Sequence, residues 1–197
     1  MKGIILILAV GLCQFSYGNS RLKLLGARAE KSNQKTFELV MKDKGALVKE
    51  LNARNASYAS LKRDPKSAPA DIAKRDKEWR AWSKGGAKPS WVATMEKSNC
   101  HRNIEKIVKA DTRVAEVFIT DAMGANLCAY PATSDYDQGD EAKWFKPFLN
   151  AMNPFHGDVE KDESTKNVQL QSSFLIKDGA KNVGVAIIGS RFGMSSH

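Results

Sequence analysis

The sequence predicts an α+β protein in which helices come first and an antiparallel sheet follows. Residues 21–61 carry apolar side chains at helical spacing with almost no glycine or proline. From Val114 onward the spacing changes to the alternation that is typical of strands. Two pairs of these strand-like segments are joined by short turns with aspartate and glycine, which indicates β-hairpins.

The helical half divides at two breaks rich in proline and glycine. The predicted helices cover residues 21–61, 70–82 and a third stretch from Ser90, with the breaks at 64–69 and 85–89. We expect the first helix to be kinked at Gly45, and Ser90 to be the N-cap of the third. Cys100 shares one face of that third helix with apolar residues, so it is expected to point into the core.

The strands are predicted to form two hairpins with a helical insertion between them. They cover residues 114–120, 125–130, 168–176 and 183–188, with a weaker strand at 155–159. The insertion contains TSDYDQGDEAKW, residues 133–144, which holds four carboxylates in a chain of net charge +9.

The N-terminus has the pattern of a secretory signal peptide. Met1 and Lys2 precede the apolar run Ile4–Leu12, and small residues at 16 and 18 predict cleavage near Gly18. The apolar run is shorter than the roughly 20 residues that span a bilayer. We therefore expect residues 1–18 to be removed and the protein to be exported, either periplasmic or secreted.

Two cysteines remain after that cleavage. Cys100 and Cys128 would reach an oxidising compartment, where they can form a disulfide. The alternative is that both are small buried apolar residues. The sequence leaves this open.

Charge divides the chain into two regions. Residues 19–110 hold 22 Lys and Arg against 10 Asp and Glu, and residues 111–163 hold 4 against 11. The basic residues alternate with acidic ones, as on a solvated helical face. We expect no nucleic-acid partner.

The acidic stretch does not fit known metal or catalytic patterns. Counted from Asp135, the glycine and the twelfth residue are wrong for an EF-hand. Asp140 and Glu141 are adjacent, and a carboxylate pair in a hydrolase must face one substrate together. We predict no metal, no cofactor and no enzymatic activity.

Two interpretations of the stretch remain. In the structural one, Asp140 caps a helix whose apolar face is formed by Trp144, Phe145 and Phe148, with Pro147 between two helical turns. In the other, the stretch borders a ligand pocket.

Three segments resemble a known family. VFITDAMGANLCAYPATSDYDQGDEAKW, DESTKNVQLQSSFLIKDG and VGVAIIG resemble the extracytoplasmic PAS-like sensor domains called Cache or PDC domains. The resemblance covers roughly residues 30–190. It implies a long N-terminal helix, a five-stranded antiparallel sheet, and a small molecule bound between the sheet and the segments that cover it. It also implies that residues 19–110 pack as a helical region on a sheet core at 111–190, with 191–197 as a tail.

A ligand pocket can be predicted from the same stretch. Tyr136 and Trp144 offer ring faces, and Asp135 and Glu141 offer carboxylates, a combination that suits an amine or amino acid. The polar face of strand 168–176 is either a solvent face or a pocket wall. The resemblance favours the wall. The predicted ligand-binding residues are Tyr130, Asp135, Tyr136, Glu141, Trp144, Gln169, Gln171 and Ser173.

Members of the family are commonly joined to a membrane helix and an output domain. Here the resemblance implies a signal relayed to a partner, such as a membrane sensor kinase, and the long helix is a candidate for homodimerisation. A ligand-free module that docks a partner through this helix is the alternative, and an enzyme is a weaker third.

Overall fold

The computed structural model describes the backbone of residues 8–161 and 168–192 and the side chains of 23–159 and 168–192. Residues 1–7 of the predicted signal peptide lie outside the described residues, and the remainder of it belongs to the first helix. Within the part described, no helix is long and apolar enough to cross a membrane.

In the described part of the chain, five α-helices precede the first strand, and a sixth lies between the second and third strands. They are α1 (Leu8–Val40), α2 (Lys44–Ala56), α3 (Ala70–Ser83), α4 (Ser90–Glu96), α5 (Asn99–Ala110) and α6 (Ala142–Leu149). A single 3₁₀ turn, Met41–Asp43, separates α1 from α2, so the predicted kink lies just before Gly45. α2 ends at Ala56 rather than near Leu61, because the chain turns there and buries Tyr58.

The prediction that Ser90 caps the third helix is wrong. Pro89 occupies the N-cap position in extended geometry, so Ser90 is already helical. The predicted helix is in fact two, and Ser98 caps the second by accepting a hydrogen bond from the backbone N–H of His101 at 3.1 Å.

The five-stranded antiparallel sheet is confirmed. Its strands are β1 (Val114–Thr120), β2 (Asn126–Tyr130), β3 (Phe155–Lys161), β4 (Val168–Asp178) and β5 (Lys181–Arg191), in the order β2-β1-β5-β4-β3. β1 with β2, and β4 with β5, form the two predicted hairpins, and α6 lies in the connection between them.

Helices cover both faces of this sheet. On the first face, α1, α2 and α5 pack against a cluster that includes Val117, Ile119 and Ile188. On the second face, α3, α4, α6 and residues 133–145 pack against Phe118 and Ile187. A disulfide between Cys100 of α5 and Cys128 of β2, with Cα atoms 6.0 Å apart, ties the first helical layer to an edge strand.

Buried hydrogen bonds fix α1 on the first face. Asn33 is fully buried and donates to the carbonyl of Leu170 at 3.2 Å and to Ser172 Oγ at 2.9 Å. Ser190 Oγ donates to Asn33 Oδ1 at 2.6 Å. One amide therefore joins α1 to both β4 and β5.

Candidate functional site

Two carboxylates of the acidic loop, residues 133–141, are bound by basic side chains from the helical half. Arg80 Nη2 lies 3.1 Å from Asp135 Oδ2, and Arg63 Nη2 donates to both oxygens of Asp137 at 3.0 and 2.9 Å. Asp76 of α3 accepts the backbone N–H groups of residues 136 and 137 at 2.8 and 3.1 Å. These contacts hold the loop against the second face of the sheet.

Gly139 is required by the contact between Arg63 and Asp137. The Arg63 side chain is 2% exposed and lies directly over the Gly139 backbone, where a Cβ would come within 2.7 Å of Cζ. Arg63 cannot move aside cheaply, because it would lose its two bonds to Asp137. The absence of a side chain at Gly139 therefore allows Arg63 to lie against the backbone.

Replacing Gly139 by alanine is expected to lower the free energy of unfolding by about 1–3 kcal/mol, because an added methyl group overpacks the arginine. Gly45 of α2 is the matched control, since a Cβ there would meet nothing within 4 Å. Gly45→Ala should raise stability by up to about 1 kcal/mol through helix propensity. Urea unfolding of both variants measures the difference, and equal stabilities would contradict the role given to Gly139.

Tyr136 is a core residue of the second face. It is 1% exposed, and its ring centroid lies 5.9 Å from that of Trp79 and 5.1 Å from that of Trp91. Arg54 Nη2 donates a hydrogen bond to its hydroxyl. Burial raises the pKa of Tyr136, so the phenol stays protonated.

Trp144 is also fully buried. Its Nε1 donates to the carbonyl of Asp121 at 3.2 Å, and its ring stacks on Phe148 with centroids 5.0 Å apart. The predicted apolar face of α6 is therefore present. The two predicted aromatic rings thus lie in the same core cluster.

The prediction that Asp140 caps α6 is wrong. Glu141 holds the N-cap position, but its side chain accepts no hydrogen bond from the backbone of α6, because its carboxylate pairs with the Lys143 ammonium at 2.8 Å. Asp140 is exposed. Pro147 lies inside α6 rather than between two turns.

The polar face of β4 is covered rather than open to solvent. Gln169 is 1% exposed and Ser173 is fully buried, so the solvent-face interpretation is wrong for them. Gln169 and Gln171 both donate to Glu116 Oε1, at 2.7 and 2.6 Å. The interpretation of this face as a pocket wall stays a prediction.

Lys143 is close enough to Glu116 for their charges to interact. Its ammonium sits 5.2 Å from the centroid of the Phe118 ring and 2.8 Å from Glu141. Burial would lower the pKa of Lys143, but the carboxylates of Glu141, Glu116 and Asp135 raise it. Burial raises the pKa of Glu141, against the effect of Lys143.

Two of the buried polar atoms that have no hydrogen-bond partner in the described part of the chain belong to this face and to the acidic loop. They are Ser173 Oγ and Gln138 Oε1. A buried polar atom is rarely left without a partner. Of the predicted site residues, Ser173 is thus the one whose side chain still has a hydrogen bond to make.

Tyr130 is separated from the glutamines. Its ring contacts His101 at 5.9 Å between centroids and carries the Lys109 ammonium at 5.5 Å, both on α5 of the first face. The predicted residues therefore lie in three places rather than one. These places are the acidic loop with Trp144, the polar face of β4, and the β2 edge at Tyr130.

Tyr130 does border a cavity of about 460 Å³ at the β2 edge of the sheet. We call it the aromatic cavity; residues that line it include Trp79, Trp82, Glu96, His101, Glu105 and Tyr130. Its size is within the usual range for small-molecule sites. Burial lowers the pKa of His101, which favours a neutral ring there.

Lysine ammonium groups already sit between the rings and carboxylates of this cavity. Lys88 Nζ lies 2.7 Å from Glu96 and 5.1 Å from the Trp82 ring centroid. Lys109 Nζ lies 2.7 Å from Glu105 and above Tyr130. Both pairs are partly exposed, so exchange with another cation costs little.

Within the described residues, no group of three or more His, Cys, Asp and Glu is placed to hold a metal ion.

Sequence reasoning missed the partners of the acidic loop. Arg63 and Arg80 belong to segments with no special local pattern, so no signal marks them. Glu116 does have one, because it is the only charged residue of the otherwise apolar β1 segment VAEVFIT. A carboxylate in a strand that is buried throughout needs partners.

No protein-family model matches the chain, and no curated protein is significantly similar to it. Three solved structures are similar to parts of the chain at low identity. The chain covers 21% of the extracellular ligand binding receptor from Desulfohalobium retbaense, with 12% identity, a TM-score of 0.38 and 51% of this chain aligned.

The second is the sensor domain of the V. cholerae histidine kinase DctB, with 10% identity, a TM-score of 0.37, and 87% of this chain and 57% of that one covered. The third is the ligand-binding domain of the Campylobacter jejuni chemoreceptor Tlp3 in complex with L-valine, with 13% identity, a TM-score of 0.36, and 80% and 62% covered. The chain thus spans less than two thirds of each structure. By their descriptions, the three are an extracellular ligand binding receptor, a histidine kinase sensor domain and a chemoreceptor ligand-binding domain.

Proposed function

We propose that this protein is an exported, non-enzymatic sensor domain that binds a small organic cation or zwitterion in the aromatic cavity. In this proposal residues 19–110 form the helical cover, residues 111–190 form the PAS-like core, and 191–197 form a tail. Ligand occupancy is passed to a partner protein, such as a membrane sensor kinase. The long helix is the candidate surface for that partner or for a second copy of the chain.

The placement of ring faces beside carboxylates carries the proposal. In the aromatic cavity, Trp82 and Tyr130 each already accommodate an ammonium group that a glutamate neutralises. An amine or amino acid presents the same charge to the same surroundings. A neutral His101 adds no repulsion.

The acidic loop is a poorer place for the ligand than the aromatic cavity, because its predicted binding groups are already engaged. Asp135 and Glu141 are occupied by Arg80 and Lys143, and Trp144 has no exposed surface. Tyr130 is the predicted residue that lines the cavity. The buried face around Ser173 remains a second predicted contact surface.

The test is a thermal-shift screen of the protein against amines, amino acids, carboxylates and divalent metals. A ligand that binds only the folded chain raises the melting temperature. We expect amines or amino acids to raise it, and Glu105→Gln to reduce that shift. Glu38→Gln on α1, which removes the same charge from an exposed site, is the control and should leave the shift unchanged.

A melting temperature that responds to none of these compounds would contradict the sensor function and favour the ligand-free docking module. A shift that Glu105→Gln leaves intact but Ser173→Ala removes would move the ligand to the β4 face. Export is tested separately, by N-terminal sequencing of the secreted or periplasmic protein, which should begin just after Gly18.

A further inference from the structure

A second cavity, of about 350 Å³, has the opposite charge character. It lies between α2, α3, α4 and β2, and we call it the arginine cavity; residues that line it include Glu50, Arg54, Arg75, Trp91, Leu127 and Tyr136. It shares Met95 with the aromatic cavity but none of that cavity's carboxylates.

Arg75 brings a positive charge to this cavity. The side chain is half-buried, and its guanidinium lies 5.1 Å from the ring centroid of Trp91. In the described part of the chain no acidic group forms an ion pair with Arg75. Glu78, one turn along α3, accepts the Trp91 indole N–H at 2.7 Å instead.

Arg54 supplies a second guanidinium in a fixed position. Its Nε is 3.3 Å from Asp121 Oδ2, and its Nη2 donates to the Tyr136 hydroxyl. Nη1 makes no hydrogen bond to the residues that the structure describes. The side chain is held on one side, and a donor is left for a group in the cavity.

We propose that the arginine cavity is a binding site for a small organic anion, namely a monocarboxylate with an apolar body. The carboxylate accepts hydrogen bonds from Arg54 and Arg75, since a guanidinium matches the planar geometry of a carboxylate. The body packs on Trp91 and Leu127. Glu50, which also lines the cavity, disfavours a second negative charge on the ligand.

This site is independent of the proposed sensor function, because it uses a separate cavity and a ligand of opposite charge. Occupation of the two cavities can therefore be measured one at a time.

The experiment uses 3-methylbutanoate as the probe, with 3-methylbutanamide and 3-methylbutylamine as matched compounds of the same shape. Isothermal titration gives the affinities, and the Trp91 indole N–H signal in NMR spectra reports the place of binding. We expect the carboxylate to bind and shift this signal, and the amide to bind at least about tenfold more weakly, since it lacks the charge.

Arg75→Gln is expected to weaken binding of the carboxylate about tenfold or more. Lys74→Gln is the matched control, because Lys74 is an exposed neighbour on α3 that does not line the cavity. Unfolding curves show whether each variant is folded.

Equal binding of the carboxylate and the amide would overturn the proposal, as would equal losses in Arg75→Gln and Lys74→Gln. Absence of carboxylate binding to the unmodified protein, or binding that does not perturb Trp91, would overturn it too. None of these outcomes bears on amine binding in the aromatic cavity.

Discussion

Replacing Trp144 by alanine is expected to lower the free energy of unfolding by about 3–5 kcal/mol, the usual cost of removing a large buried aromatic side chain. The side chain is fully buried, stacks on Phe148 and donates to the carbonyl of Asp121. The alanine variant leaves a cavity between α6 and the sheet and removes the donor of a buried carbonyl. Urea unfolding monitored by circular dichroism gives the value.

Trp144→Phe separates packing from hydrogen bonding. It keeps most of the ring contact with Phe148 and loses the indole N–H, so we expect a loss of about 1–2 kcal/mol. A Trp144→Ala protein with unchanged stability would show that the ring is not part of the core. If that protein had also lost ligand binding, the sequence-based assignment of Trp144 to a ligand pocket would be supported instead.

The order of elements could be predicted because each depends on local periodicity. The alternation from Val114 onward and the turn residues near Gly124 and Gly179 are sufficient for two hairpins. Element ends were less predictable, since they depend on tertiary contacts. α2 stops at Ala56 where Tyr58 turns into the core, and no residue at 57–61 forbids a helix.

The function of the acidic loop could not be predicted in the same way. Two of its carboxylates have partners far away in sequence, because Arg80 is 55 residues from Asp135 and Arg63 is 74 residues from Asp137. Sequence position gives no measure of such contacts. Asp135 and Glu141, the carboxylates that suggested a cation site, are neutralised in the structure by Arg80 and Lys143 of the chain itself.

The two cavities could not be predicted from the sequence either. Both are lined from several elements, so that neither has a contiguous signature in the sequence. The aromatic cavity draws Trp82 from α3, Glu105 from α5 and Tyr130 from β2. The combination predicted for the binding site, aromatic rings beside carboxylates, recurs in the aromatic cavity, where the rings are Trp82 and Tyr130 instead of Tyr136 and Trp144.

Reduction of the disulfide between Cys100 and Cys128 is expected to lower the free energy of unfolding by about 3–4 kcal/mol, because it releases a loop constraint on the unfolded chain. The two residues are 28 positions apart, and both side chains are buried. The bond is the covalent link between α5 and the edge strand β2. Reduction should therefore also loosen the side of the domain where both cavities open.

Two comparisons isolate the constraint from the packing of the sulfur atoms. Reduced protein keeps both thiols in the core, whereas Cys100→Ala with Cys128→Ala also removes their volume and should be slightly less stable. In the proposed exported form, cleaved after Gly18, the cysteines are Cys100 and Cys128, so thiol titration of the unfolded protein should find no free thiol before reduction and two afterwards. Two free thiols before reduction would show that the two cysteines are small core residues. Equal unfolding free energies of oxidised and reduced protein would show that the bond forms but constrains nothing, since the loop it closes would then already be ordered in the unfolded state.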